Sequence, residues 1–364
     1  MSTPALVHPR AALFDPDELQ APQLPVCDHY SGVEERMRKS LALQAELGPV
    51  FDVTLDGEDG APVGGELEHA ALIAELVNGE ANRFGRVGAR VQPAGHRRFE
   101  DVVDLLVARA GPRLAYLMIP KPRGVADFQR AATAVDEASS RHAIGRKIPL
   151  HALVETHGAL REVDALAAHP RLESLSFGLM DFVSAHRGAI PQSAMGVTGQ
   201  FEHPLVVRAK LEIAAACHGR GKVASHCVVT ELKDAAALRH AAERASREFG
   251  YTRMWSIHPA QIRPIVEAFA PSAAEVDQAG EILVAAQGAG WAPIRHRDRL
   301  HDRASYRYFW QVLERAERSS VAGGERLAAE IRQRFFAPAS PAREAAPAGG
   351  EAPGPAPQDG FAPP

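Results

Sequence analysis

The stretch PLHALVETHGALREVDALA, residues 149–167, sets the reading of the whole chain. An apolar β-type run (149–154) stops at Glu155 and Thr156, and a helical pattern follows over 160–167. A strand that delivers an acid into a loop and then into a helix is half of a parallel βαβ unit. The same pattern recurs on both sides. β-type runs occupy residues 10–14, 49–55, 86–92, 114–119, 149–154, 173–177, 222–226 and 252–257. Segments with apolar residues at helical spacing lie between them, at 33–47, 67–77, 99–108, 125–137, 160–167, 204–216 and 235–248. Few hairpin turn signals interrupt the alternation. Eight such units predict an α/β fold, a closed (β/α)8 TIM barrel, over residues 1–271.

After residue 272 the pattern reads as helical without strands, at 275–286 and again over 306–334. This predicts a C-terminal helical extension, 272–336, long enough to reach a neighbouring subunit. The run HRDRLHDR at 296–303 reads as a solvated charged loop. The last stretch, 337–364, is mostly Ala, Pro and Gly, with little to bury, and is expected to be a disordered tail.

Composition narrows the class. The chain has 364 residues, 46% hydrophobic and 24% charged, as in an ordinary soluble globular protein. No apolar run approaches the ~18 residues of a membrane helix. Residues 1–10 carry no apolar signal core. The three cysteines, Cys27, Cys217 and Cys227, form no metal-type pair, and so sparse a set suits a reducing cytoplasm. A net charge of −4 argues against nucleic acid or anionic membrane as partner.

In a parallel barrel, chemistry gathers where strands end in βα loops. The second run ends in Asp56, Glu58 and Asp59; the third carries Arg90; the fourth leads into Lys121 and Arg123; the fifth ends on Glu155; the sixth leads to Asp181. The seventh ends at His226 and the eighth at His258. Glu155 and Asp181, on adjacent strands, would repel unless one takes a proton or a divalent cation sits between them. Mg²⁺ is commonly held by one or two carboxylates, with waters and substrate oxygens completing its shell. The alternative is that both acids pair with Arg90, Lys121 or Arg123 as rim salt bridges. Arg90 suits a carboxylate clamp, or an ion pair with Asp56 or Glu58. His226 and His258 are acid–base candidates, with a capping role open for His258. Asp234, before the 235–248 segment, suits a helix N-cap.

The motifs RAALF (10–14), DGEDG (56–60), ARVQP (89–93), MIPKPR (118–123), VETHGA (154–159), SFGLMD (176–181), ELKD (231–234) and SIHPAQI (256–262) occur in order. Together they resemble the HpcH/HpaI family, the superfamily of citrate lyase β-subunits and dihydroxyheptenedioate aldolases, over roughly residues 10–272. The resemblance implies a barrel with Mg²⁺ held by Glu155 and Asp181. It implies Arg90 as the group that binds the substrate acid, with Gln92 where Asn is usual, and places Asp56, Glu58, Asp59 and Lys121 at the substrate. In acyl-CoA lyase members an acid from the C-terminal part serves a neighbouring subunit's site as proton carrier, and Asp234 is the matching position. The implied activity is carbon–carbon cleavage of a 3-hydroxyacyl-CoA, with coenzyme A as part of the substrate. The alternatives are an aldolase acting on a free 4-hydroxy-2-oxo acid and a non-catalytic scaffold. A homo-oligomer, trimer or hexamer, is expected. The chain departs from the family at Ser225-His226, where an acid is frequent. It lacks a K-x-x-A-R segment in 61–70, and GVTGQFEH (196–203) lengthens the loop after Asp181.

Overall fold

Along the second strand, Val53 and Leu55 turn outward into the main apolar core, while Asp52, Thr54 and Asp56 turn inward. Alternation of this kind lets one sheet pack helices outside and carry a polar interior. The computed structural model describes residues 6–15, 18, 21–320 and 325–337. Eight parallel strands close into a barrel: β1 (Cys27–Ser31), β2 (Phe51–Asp56), β3 (Val87–Arg90), β4 (Leu117–Ile119), β5 (Leu150–Val154), β6 (Leu172–Phe177), β7 (Val223–His226) and β8 (Arg253–Ser256). β8 pairs back to β1, as Cys27 opposite Met254.

A short helix, α1 (Pro9–Leu13), precedes the barrel. Outside it run α2 (Glu34–Leu47), α3 (Glu66–Asn78), α4 (Phe99–Ala110), α5 (Val125–Arg141), the short pair α6 (His157–Arg161) and α7 (Val163–Ala167), α8 (Leu179–Ser184), α9 (Pro204–Gly219), α10 (Ala235–Arg247) and α11 (Pro259–Phe269). Two longer helices follow, α12 (Ala273–Gly288) and α13 (Arg303–Arg318). Met1–Leu327 is one compact unit; Ala328–Pro364 is a second, whose described part, 328–337, contains α14 (Ala329–Phe335). The expected disordered tail lies outside the described residues except for Ala337. No helix among the described residues is long and apolar enough to cross a membrane.

The expected first strand is a helix. In PRAAL, Pro9 takes the first helical position and the His8 ring accepts from the Arg10 N–H. Proline's fixed φ and missing donor suit that position. The true β1, CDHYS, reads as polar yet is buried throughout. Its polar atoms are matched inside the barrel: Asp28 accepts from Thr54 (2.6 Å) and Tyr116 (3.0 Å), and His29 Nδ1 meets Ser256 Oγ at 3.0 Å. The C-terminal region also has strands. The charged run forms a hairpin, β9 (Ile294–His296) paired antiparallel with β10 (Arg299–His301), turning through Arg297 and Asp298 at positive φ.

The barrel interior is layered. Near the strand starts, Arg253 donates to Asp52 (2.6 Å) and the Pro25 carbonyl (3.1 Å) and lies 3.1 Å from Asp28. Tyr116 stacks on His151 at 3.9 Å, and His151 meets Glu173 at 2.8 Å. Above this charged layer lies an apolar one: Tyr30, Met118, Leu153, Val228 and Trp255. The carboxyl ends of the strands rise above it.

Candidate active site

β2 ends on Asp56, whose carboxylate folds the following turn back on itself. Its oxygens accept from the N–H groups of Glu58 and Gly60, both at 2.9 Å. A Cβ at Gly60 would lie 2.3 Å from Asp56 Oδ2, so only glycine allows this turn. The barrel register sets Arg90 beside Asp56. Arg90 grips it with two bonds, Nε to Oδ1 at 2.7 Å and Nη2 to Oδ2 at 2.5 Å, and its Nη1 lies 3.1 Å from Glu58. Burial alone would lower the Arg90 pKa, but Asp56 and Glu58 outweigh it and raise it. Gln92, the departure from Asn, donates to the Gly57 carbonyl at 2.7 Å and ties down the acidic turn.

Lys121 joins the two halves of the rim. Its backbone sits at φ 49°, a left-handed conformation that costs a side-chain-bearing residue roughly 1–2 kcal/mol. That conformation accompanies a 2.7 Å bond from the Lys121 N–H to Glu155 Oε1. Its ammonium donates to Glu58 at 2.6 Å and Asp59 at 2.8 Å, and lies 3.7 Å from Asp181. Burial opposes the charge, yet Asp59 and Glu58 hold the Lys121 pKa above its usual range.

Glu155 follows β5 and is 3% exposed, while the Asp181 side chain, in the first turn of α8, is 43% exposed. Gly178, just after β6, lets the Glu155 side chain through: a Cβ there would lie 2.3 Å from Oε2. Thr156 caps α6 and donates to the Pro122 carbonyl at 2.8 Å. Burial first, and the Asp181 charge second, push the Glu155 pKa up to about 8. A buried carboxylate beside a second acid accepts a proton or a cation at little cost. Among the described residues, no group of three or more His, Cys, Asp or Glu could hold a metal. A pair of carboxylates alone fits a hard cation that keeps positions open for water and substrate oxygens.

The remaining expected residues divide. Asp56, Glu58, Asp59, Lys121 and Arg90 form one network with Glu155 and Asp181. Asp234 lies apart, accepting from Ala237 N–H at 2.9 Å as the cap of α10. His258 likewise caps α11. His226 is wholly buried, stacked on Phe201 at 5.3 Å, and burial drives its pKa well below the usual value. It does not face the mouth as an acid–base group. The inserted loop is tied across the rim by Glu231, which accepts from Val197 N–H at 3.0 Å.

Sequence reasoning missed the floor. Tyr30 and Trp255 stack at 4.4 Å, and the Arg90 guanidinium lies 5.5 Å over the Tyr30 ring. Tyr30 Oη and Trp255 Nε1 are both buried with no hydrogen-bond partner among the described residues. Trp255 stands in an expected strand and so was accessible to a register argument. Tyr30 was hidden with β1.

The model of the HpcH/HpaI aldolase/citrate lyase family matches residues 52–259. The chain belongs to that family. Membership carries with it the expectation of a carbon–carbon lyase. A citrate lyase from Burkholderia xenovorans LB400, known as a crystal structure, is 53% identical with a TM-score of 0.79, over 90% of this chain and 100% of that one. The L-malyl-CoA/β-methylmalyl-CoA lyase of Cereibacter sphaeroides is 29% identical over 291 residues, 74% of this chain and 88% of the relative. The protein CitE of Mycobacterium tuberculosis, solved with magnesium, acetoacetate and coenzyme A, shares the fold at 19% identity and a TM-score of 0.61, over 80% of this chain and 98% of that one.

Proposed function

We propose that this family member is a Mg²⁺-dependent acyl-CoA lyase. It cleaves a 3-hydroxyacyl-CoA of the malyl-, citramalyl- or citryl-CoA type to an acyl-CoA and a 2-oxo acid. The observation that carries the reading is the pairing of buried Glu155 with half-exposed Asp181 at the barrel mouth. Malyl-CoA lyase relatives aligned over most of their length support the thioester substrate. Glu155 and Asp181 would hold the Mg²⁺, which as a Lewis acid stabilises negative charge on substrate oxygens.

The chain's own residues do the rest. Cleavage passes the 3-hydroxyl proton to a base, turns that oxygen into the carbonyl of the 2-oxo acid, and breaks the C2–C3 bond to leave a thioester enolate, which takes up a proton at C2 to become the acyl-CoA. Arg90, fixed by Asp56, supplies positive charge at the mouth without reorganising at the moment of reaction. Lys121 orients Glu155 through its N–H and draws Glu58 and Asp59 together. The Tyr30–Trp255 stack closes the floor against water from below. Asp234 remains the proposed proton carrier toward a neighbouring subunit, with Oδ1 held in the α10 cap and Oδ2 left for the proton. Assembly as a trimer or hexamer belongs to the same reading and is measured by light scattering.

The test is turnover of malyl-CoA with and without Mg²⁺. Glu155→Ala and Asp181→Ala should each nearly abolish Mg²⁺-dependent formation of the 2-oxo acid, since losing one positioned electrostatic group costs ~10²–10³ in turnover. Full activity in either variant rejects the site. Cleavage of a free 4-hydroxy-2-oxo acid in place of the thioester would reassign the same site to the aldolases.

A further inference from the structure

The opposite end of the barrel carries a cavity. It has a volume of about 460 Å³ and opens at the strand starts, away from Glu155 and Asp181. That volume lies within the range of small-molecule sites. Four guanidinium groups line it from three separate connections: Arg83 and Arg86 before β3, Arg113 before β4 and Arg146 before β5. Among the described residues Glu173 is the one carboxylate in its lining; it meets His151 at 2.8 Å, and its charge also acts on Arg86.

The arginines outnumber the anions beside them: Asp52 and Glu173 both act on Arg86. Arg113 donates to the carbonyls of Asn82 at 2.7 Å and Gly79 at 3.3 Å, and Arg146 donates to the Leu114 carbonyl. Carbonyls direct a guanidinium without cancelling its charge. Arg86 lies 4.0 Å from buried Asp52, and Arg83 is exposed at the edge of the cavity. Burial lowers the Arg146 pKa, as expected of a cation with no anion beside it. Arg83, Arg113 and Arg146 are exposed, so water screens much of their mutual repulsion, and an anion entering the cavity would relieve the rest. The concentration is also local, because the chain as a whole carries a net charge of −4.

We infer that this cavity binds a small polyanion with at least two linked phosphoryl groups, free pyrophosphate or the diphosphate of a nucleotide. Guanidinium forks bind phosphate oxygens in pairs. Two linked phosphoryl groups carry more charge and more acceptor oxygens than a single carboxylate or phosphate, and so answer more of the four arginines. The charged and apolar layers of the barrel interior separate this ligand from the catalytic mouth, so the inference stands independently of the lyase reading.

Isothermal titration of the full chain at low salt, with inorganic pyrophosphate and separately with ADP, tests it. The expected result is saturable one-site binding. It should weaken roughly tenfold or more in Arg83→Ser and in Arg146→Gln, the loss typical of one charge-assisted contact. Lys39→Ser, an exposed change on α2, should leave it unchanged. Tighter binding of ADP identifies a nucleotide as the occupant; tighter binding of pyrophosphate identifies the free anion. Three results overturn the site: no saturable heat with either ligand at millimolar concentration, binding that Arg83→Ser leaves intact, or binding that Lys39→Ser weakens equally.

Discussion

Replacing Gly178 by alanine isolates the geometry on which the proposed metal pair depends. The new Cβ would lie 2.3 Å from Glu155 Oε2, 3.0 Å from its Cδ and 2.5 Å from its Cβ, against an ordinary contact of about 3.5 Å. Rotating the carboxylate relieves the first two contacts but not the third, because the Glu155 Cβ moves only with β5 itself. Glu155 must therefore shift by about 1 Å relative to α8, which carries Asp181. Overpacking of this kind costs about 1–3 kcal/mol of stability. A displacement of about 1 Å in a reacting group costs on the order of 10² in rate. The assay is urea denaturation together with Mg²⁺-dependent cleavage of malyl-CoA. The control is Gly145→Ala, where an added Cβ meets nothing within 4 Å. Wild-type turnover and Mg²⁺ dependence in a folded Gly178→Ala protein would refute the claim that Glu155 must sit where Gly178 admits it.

The interior charges give a stability prediction. Arg253→Leu leaves Asp28 and Asp52 buried without their cation and should cost about 3–5 kcal/mol, read as a lower urea midpoint. Lys210 gives a pH prediction. It is buried against Gln200 (2.9 Å) and the Phe201 ring (3.8 Å), and burial lowers its pKa from 10.5 to about 8. Its folded pKa lies below the unfolded one, so the unfolded chain keeps the proton longer, and stability rises as pH increases from about 8 to 10.5. The rise should be about 3 kcal/mol. It should be absent in Lys210→Met, and equal pH slopes in the two proteins would remove Lys210 as its source. Tyr30→Phe deletes a buried hydroxyl with no partner among the described residues, so stability should change by less than about 1 kcal/mol. If the hydroxyl meets the substrate, kcat/KM should fall about tenfold with the fold intact.

Much of the rim was legible because barrel chemistry follows strand ends. The runs ending at residues 55, 119, 154 and 177 lead to Asp56, Lys121, Glu155 and Asp181 whatever their exact boundaries. The helical periods at 33–47 and 204–216 likewise survive as α2 and α9. β1 was illegible for a physical reason. Its Asp28 and His29 look like loop residues until their partners across the barrel appear, and Thr54, Tyr116 and Ser256 are distant in sequence. The run at 10–14 misled in the opposite sense, because five apolar-rich residues suit either state and Pro9 with its His8 cap selects the helix.

Residue order alone determined the fold class, the family and the set of charged groups at the barrel mouth, because periodicity and strand-end position are local properties. Only the tertiary structure decided how those groups share their bonds. It gave the Arg90 fork to Asp56, spent the Lys121 ammonium on Glu58 and Asp59, and set Asp234 and His258 to capping helices. It also gathered four arginines at the far end of the barrel. Which acid meets which base depends on strand register and on closure of the sheet, and both are relations between residues far apart in the chain.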